Sequence, residues 1–248
     1  LSIRRQRQMC IRDSIYTYDL GRLLNEFVDE DVAFNFREFF RVNDNGTFVH
    51  DKDVSAFLNL ITKEDKESCY PFANEEYRNI FRHTLWMLPG VKEARAMSAM
   101  LQTHSVFQHF KVVNVAGNGD EDEESKDALV AVEEGIGKDP DATRTITLSC
   151  GRLTTGVSVK AWTAVFMLSG SYNTAASSYM QTIFRVQTPA AINGKVKEQC
   201  YVFDFAPDRT LKVIAETAKI SSKTGKTSGN DRKIMGEFLN FCPIISIE

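Results

Sequence analysis

The chain has 248 residues, 43% of them hydrophobic and 25% charged, with a formal net charge of −3. That supplies enough apolar surface for one large core or two small ones, and it excludes a chain built throughout as a polyanion binder while leaving local basic patches open. No run approaches the roughly 20 apolar residues that span a bilayer, so no membrane partner is expected.

Cys10, Cys69, Cys150, Cys200 and Cys242 are scattered, with no C-x-x-C pair. Neither a metal cluster nor a disulfide framework is predicted. Each cysteine reads as a small buried hydrophobe, and a reducing cytoplasm fits.

In chain order, "IRRQRQMCIRDS" resembles sequencing-adapter read-through, which sets residues 1–14 apart as an artefact. A basic arm for nucleic acid is the alternative reading. On the artefact reading the protein begins upstream, and the apolar ending "NFCPIISIE" suggests truncation there as well. Residues 15–82 read as mainly helical, through "YDLGRLLNEF", "NFREFFRV", "KDVSAFLNLIT" capped by Asp51, and "ANEEYRNIFRH". Phe34, Phe36, Phe39, Phe40, Phe57 and Phe81 are expected in a core or interface.

The texture then changes. "HTLWMLP" is an apolar run ended by Pro89 and Gly90, and "VKEARAMSAMLQTH" has helical period. "FKVVNVAG" is β-rich, and "NGDEDEESKD" is an acidic surface loop whose like charges lack the geometry to hold one cation. Next come the helix "ALVAVEEGIGK", the strand "TRTITLSC", the Gly/Thr loop "GRLTTGVSV" and the strand "TAVFMLSG". A helix over 175–186, the strand "QCYVFDFAP" and the helix "RTLKVIAETAKI" follow. Apolar strands alternating with helices predict an α/β fold, a doubly wound parallel sheet with helices on both faces, preceded by a mainly helical region. Ligands bind such sheets at the carboxyl ends of the strands, where the loops at 89–91, 150–158 and 169–173 are expected. Asp204 and Asp208 read as surface or capping acids.

"SSKTGKTSGND" holds Gly225, Lys226 and Thr227, the end of a G-x-x-x-x-G-K-[ST] phosphate loop. Ile220 stands where the first glycine belongs, and a predicted helix precedes the loop where a strand is needed. A polar loop is the better reading.

Two segments carry chemistry. Gly151, Thr154, Thr155, Gly156 and Ser158 follow the strand that ends near Cys150. Small residues let backbone amides approach a phosphate, hydroxyls add donors, and Arg152 adds charge. A tight glycine turn accounts for the same residues. In "SYMQTIFRVQTP", Gln181 and Arg185 are one turn apart and share a helix face. That face would look into the ligand crevice, with Met180, Ile183 and Phe184 left for packing. Arg185 is a forked cation suited to phosphate, and Gln181 can hold a loop or a water. A solvated arginine beside a surface glutamine is the alternative.

Taken together, the two segments resemble the second motor lobe of superfamily 2 helicases. Motif V of that family corresponds to "LTTGVSV" and motif VI, Q-x-x-G-R-x-x-R, to "QTIFRVQT"; "HTLWMLPGVKEARAMSAML" resembles motif IV. The wording is most similar to the type III restriction group, over about residues 80–220. The resemblance implies a RecA-like lobe at 83–220, a region at 15–82 connecting it to an upstream lobe, and at 221–248 a polar loop opening a following region. It implies ATP and Mg²⁺ held mainly by the upstream lobe, which would carry the phosphate loop. Arg185 would contact the γ-phosphate with Gln181 as its motif partner, and Gly156 and Ser158 would lie by the nucleotide. Cys150, Gly151, Arg152, Thr154 and Thr155, with Gly90 and Lys92, would meet a DNA backbone. Restriction-system subunits are the further partners implied.

The sequence departs from the pattern at Thr188, where the second motif VI arginine would stand. It departs also at Phe184 for the glycine, Ser158 for the motif V acid and Cys150 for its first threonine. Arg152 or Arg209 could substitute. The readings that remain are an ATP-dependent helicase or translocase, a degenerate lobe that binds nucleic acid or a subunit without hydrolysis, and an unrelated doubly wound enzyme. This stretch alone is expected to be inactive, and it carries no nuclease constellation.

Overall fold

The computed structural model describes residues 12–18, 34–64, 68, 70–117, 123–150, 159–170, 176–206, 212, 215 and 244–247. Among the described residues the strands are β1 (Arg12–Tyr18), β2 (His83–Met87), β3 (Lys111–Asn114), β4 (Thr145–Ser149), β5 (Ala164–Met167), β6 (Ala191–Ile192), β7 (Lys195–Val196), β8 (Gln199–Asp204) and β9 (Ile244–Ile247). The helices are α1 (Phe36–Phe39), α2 (Asp51–Thr62), α3 (Glu75–Ile80), α4 (Val91–Thr103), α5 (Glu123–Ile136) and α6 (Ala176–Val186).

Seven strands form one sheet in the order β3-β4-β2-β5-β8-β1-β9, and every pairing is parallel. A parallel sheet needs cover on both faces, and its strands are accordingly apolar on both. β2, β4 and β5 are buried at every position. Trp86, Leu88, Ile146, Leu148, Phe166, Phe203 and Phe205 point to one face, where α2 and α4 supply Val54, Phe57, Leu58, Ile61, Ala94, Met97 and Leu101. Leu85, Met87, Val113, Val165, Met167 and Val202 point to the other, where α5 and α6 supply Val132, Ile136, Tyr179, Met180 and Ile183. The α/β doubly wound sheet expected from the sequence is therefore present.

Two expectations change. The sheet begins at Arg12 and not after residue 82: β1 pairs with β8 from Arg12↔Gln199 to Thr17↔Asp204 and with β9 from Ile15↔Ile244 to Tyr18↔Ile247. The boundary expected at residue 14 thus falls inside a strand, as does part of the region expected to be helical, and β9 falls in the region expected to open a further unit. Nor does a division at residue 82 separate two cores. Phe57 of α2 meets Phe205 edge-on at 5.1 Å, Phe81 meets Phe203 at 5.1 Å, and Phe72 stacks on Phe166 at 5.5 Å. Phe34, Phe36, Phe39, Phe40, Phe57 and Phe81, expected in a core or interface, are buried, and the core is that of the sheet.

A short hairpin, β6–β7, precedes β8. Asn193 and Gly194 form its turn with φ of 49° and 79°, the left-handed pair that a two-residue hairpin requires and that Asn-Gly adopts at least cost. Asn193 then donates through Nδ2 to Asp139 Oδ1 at 2.9 Å and Asp141 Oδ2 at 2.8 Å, fixing the hairpin to the 3₁₀ turn Pro140–Ala142. Among the described residues no helix is long and apolar enough to cross a membrane.

Candidate functional site

The chain leaves β2 through α4 on one face toward β3, and leaves β5 through α6 on the other face toward β8. Adjacent strands whose connections depart to opposite sides open a crevice at their carboxyl ends, the usual ligand position in open parallel sheets. The rim of that crevice is continuous. Leu88 N donates to Ser149 O at 2.8 Å, Leu168 N to Met87 O at 3.1 Å and Val115 N to Leu148 O at 3.0 Å, so the ladder extends one residue past the strands. Gly170, just beyond β5, has φ of 96°, a backbone only glycine adopts freely.

Gly90 and Cys150 follow the carboxyl ends of the neighbouring strands β2 and β4. Gly90 is half-buried and is the N-cap of α4; Lys92 is exposed in the first turn; Cys150 is half-buried after β4. The Glu93 carboxylate, however, fills the place a Cβ would take on Gly90. An anion approaching Gly90 meets that negative charge first, so only Lys92 on this turn presents itself freely to a phosphate. Gly151, Arg152, Thr154, Thr155, Gly156 and Ser158 lie outside the described residues, as do Arg209, Asp208 and the Gly225–Lys226–Thr227 stretch.

Gln181 and Arg185 stand elsewhere. α6 starts on the carboxyl side and runs back along the sheet, so its last turn lies at the amino edge. The Val186 carbonyl there is bound by Lys197 Nζ, which also binds Trp162 O just before β5. Tyr179, Met180, Ile183 and Val186 form the buried face. Gln181 is exposed and Arg185 half-buried on the opposite face. The two do share a face, but it looks away from the sheet and not into the crevice. Phe184, expected to pack, is 42% exposed on that same face. Tyr179, Ile183 and Val186 centre the inner stripe, which leaves Phe184 beyond its edge. Burial holds the Arg185 pKa below its ordinary value, but the group stays cationic. Thr188 Oγ1 donates to the Arg185 carbonyl at 3.4 Å, a cap on the last turn.

Two residues at the site carry no sequence signal that marked them. Asp204, read as a surface or capping acid, is fully buried at the end of β8. It accepts from Tyr179 Oη at 2.7 Å and from Ala206 N at 2.9 Å. The surface reading does not hold, because Tyr179 of α6 covers the carboxylate; the bond from Ala206 N closes a turn just after β8. Lys197, in "GKVKEQ", is buried. Among the described residues no group of three His, Cys, Asp or Glu could hold a metal ion.

Sheet and rim together define a doubly wound parallel α/β domain, with one ligand edge and a separate polar helix face bearing an arginine. Over 222 residues the chain is 32% identical to a Mycoplasma pneumoniae protein named "Putative type II restriction enzyme and methyltransferase RM.MpnORF110P C-terminus", a match covering 83% of this chain. The chain spans about 30% of that relative's length. Among solved structures, the ATP-dependent Type ISP restriction-modification enzyme LlaBIII bound to DNA is similar over 98% of this chain and 16% of its own, with a TM-score of 0.48 and 12% identity. T4 UvsW is similar over 96% of this chain and 42% of its own, with a TM-score of 0.43 and 11% identity. No family model matches the chain.

Proposed function

We propose that the chain is the second motor lobe of an ATP-dependent DNA helicase or translocase that works in a restriction-modification enzyme. The observation that carries the reading is the outward face of α6: a glutamine and a half-buried arginine one turn apart, on the helix that follows a central strand of an all-parallel sheet. The name of the 32% identical relative supports the restriction setting.

In this reading Arg185 reaches the γ-phosphate of ATP held with Mg²⁺ on an upstream lobe, and Gln181 holds that contact in register. Catalysis of phosphoryl transfer is largely positioning plus charge stabilisation, and an arginine supplies both. The carboxyl rim, with Lys92, Cys150, Gly151, Arg152, Thr154 and Thr155, meets the DNA backbone through sequence-independent phosphate contacts, while Glu93 turns a phosphate away from Gly90. Gly156 and Ser158 link the rim to the nucleotide. Because rim and α6 face are different surfaces, one side can hold the strand while the other closes on ATP. Restriction-system subunits dock on the assembled enzyme.

A second reading rests on Thr188. Its hydroxyl caps Arg185 and brings no charge, so the lobe would bind nucleic acid or a subunit without hydrolysis. Turnover by the full-length protein, with and without DNA, separates the two. The motor reading expects Arg185→Ala to lower turnover by about 10³-fold or more, the scale of an arginine in this chemistry. Full-length protein that binds DNA but turns over no ATP supports the second reading. Turnover that survives Arg185→Ala removes this arginine from the mechanism.

A further inference from the structure

Phe184 stands where the motif VI pattern has glycine, and it is out of place in the fold as well. The ring is 42% exposed, whereas every other described phenylalanine is at most 5% exposed. It adds nothing to the packing of α6 on the sheet, which Tyr179, Ile183 and Val186 complete. Residues three and four apart on a helix are neighbours, so Phe184 and Arg185 both border Gln181. Ring, amide and guanidinium make one patch on the outward face of α6. A second exposed apolar side chain, Val196 at 70%, stands near the same end of the helix. Its neighbour Lys197 turns inward and holds the hairpin there, with Nζ donating to Val186 O at 2.8 Å, Trp162 O at 2.9 Å and Lys160 O at 3.1 Å. An apolar side chain standing singly on a surface needs no explanation. A phenylalanine next to an arginine is different, because both types are enriched where proteins meet.

We propose that Phe184 is a docking residue for the upstream lobe: the ring enters an apolar recess on the surface that carries ATP, and does so when that surface closes on Arg185. The inference rests on the motor reading above and names a contact of the same helix face. Glycine at this position would let a facing surface come down to the helix backbone. A ring holds that surface off unless a recess accepts it, so whatever brings a phosphate to Arg185 must also accommodate Phe184. The occupant is protein and not the phosphate or the Mg²⁺, since an apolar ring offers neither of them a ligand. The chain spans about 30% of its relative's length, which leaves the relative ample chain to form such a surface.

The direct test is the tryptophan emission of full-length Phe184→Trp, with the wild-type spectrum subtracted, before and after adding Mg²⁺ and a non-hydrolysable ATP analogue. Trp86 and Trp162 are fully buried, so the new indole is the one in this lobe that reports a change. Its emission should be that of an exposed indole without nucleotide and should shift to shorter wavelength with it. No shift overturns the docking, and so does emission from a buried indole before nucleotide is added. Turnover gives an independent measure. Phe184→Ala should lower maximal ATP turnover about tenfold and leave the KM for ATP within about twofold, the pattern of a contact made on closing and not on first binding. Phe184→Leu should recover most of the loss and Phe184→Gln should not, because the recess selects apolar volume. Full turnover in Phe184→Ala rejects the docking. Arg185→Ala tells the two failures apart: full turnover there overturns the motor reading and this inference with it, whereas lost turnover there beside full turnover in Phe184→Ala overturns the docking alone.

Discussion

Tyr179 Oη lies 2.7 Å from Asp204 Oδ2, a hydrogen bond buried between the first turn of α6 and the end of β8. The carboxylate also receives Ala206 N at 2.9 Å, so a side chain and the main chain hold it from two directions. Tyr179→Phe removes one donor and leaves the buried carboxylate short of a partner, at a cost of about 1–3 kcal/mol. Asp204→Asn should cost a similar amount, and the double variant less than the sum of the two. Denaturant midpoints of the four proteins check this; strict additivity would mean the two groups do not act as a pair.

His83 makes stability depend on pH. Its Nε2 donates to Pro140 O at 2.8 Å while Nδ1 accepts from Thr145 Oγ1 at 2.9 Å, and burial lowers its pKa. The unfolded ring titrates at about 6.5. Between that value and the lower folded one, the unfolded chain takes up a proton that the folded chain refuses. Stability from this group is therefore flat above about pH 6.5 and falls as pH drops below it. His104 is shifted in the same direction by burial, so the effect of His83 must be read as a difference. The urea midpoint of wild type should fall further between pH 7.5 and pH 5.5 (roughly one unit either side of the free-ring value) than that of His83→Gln. Equal falls would place the titration elsewhere.

Gly135 lets α5 lie close against β3. A Cβ built there would come within 2.7 Å of Val113 Cγ2, and valine has little rotamer freedom with which to yield. Gly135→Ala gains roughly 1 kcal/mol of helix propensity and should still destabilise the fold, because overpacking costs about 1–3 kcal/mol. Adding Val113→Ala should recover part of the clash. A single variant more stable than wild type would show that the helix can move away freely.

The two faces of α6 should respond differently. Ile183→Ala empties a buried position and should cost about 2–5 kcal/mol. Phe184→Ala, one residue on, should stay within roughly 0.5 kcal/mol. Thermal unfolding of both variants measures this. A large loss at Phe184 would mean that the ring is covered in the intact protein.

What could be read in advance follows physical lines. β2, β4 and β5 stand out because strands buried on both faces are rich in apolar and β-branched residues and free of charge, as "TLWML", "TITLS" and "AVFM" are. α6 is legible from its inner stripe, but the same period that finds the helix does not say which way Gln181 faces; that depends on which stripe the sheet takes. β1, "RDSIYTY", escapes because Arg, Asp and Ser open it and its partners lie far along the chain. The hairpin at Asn193–Gly194 carries a strong short-range turn signal, which an Asn-Gly test finds together with Asn45–Gly46 and Asn118–Gly119. Lys197 cannot be found this way, since nothing local distinguishes a lysine that will meet three distant carbonyls from one in water.

The place of β1 between β8 and β9 has a consequence during synthesis. Ser14 must wait for Tyr201, its partner in register, to be made. At ordinary ribosomal rates of about 5–20 residues per second, the strand leaves the tunnel about 10 to 40 seconds before the chain that will pair with it. Through that interval β2 to β5 can assemble by themselves, with the outer edge of β5 bare. The nascent chain thus displays an open parallel edge and a loose "SIYTY" segment together, and folding factors that shield strand edges should be needed most just before β8 emerges.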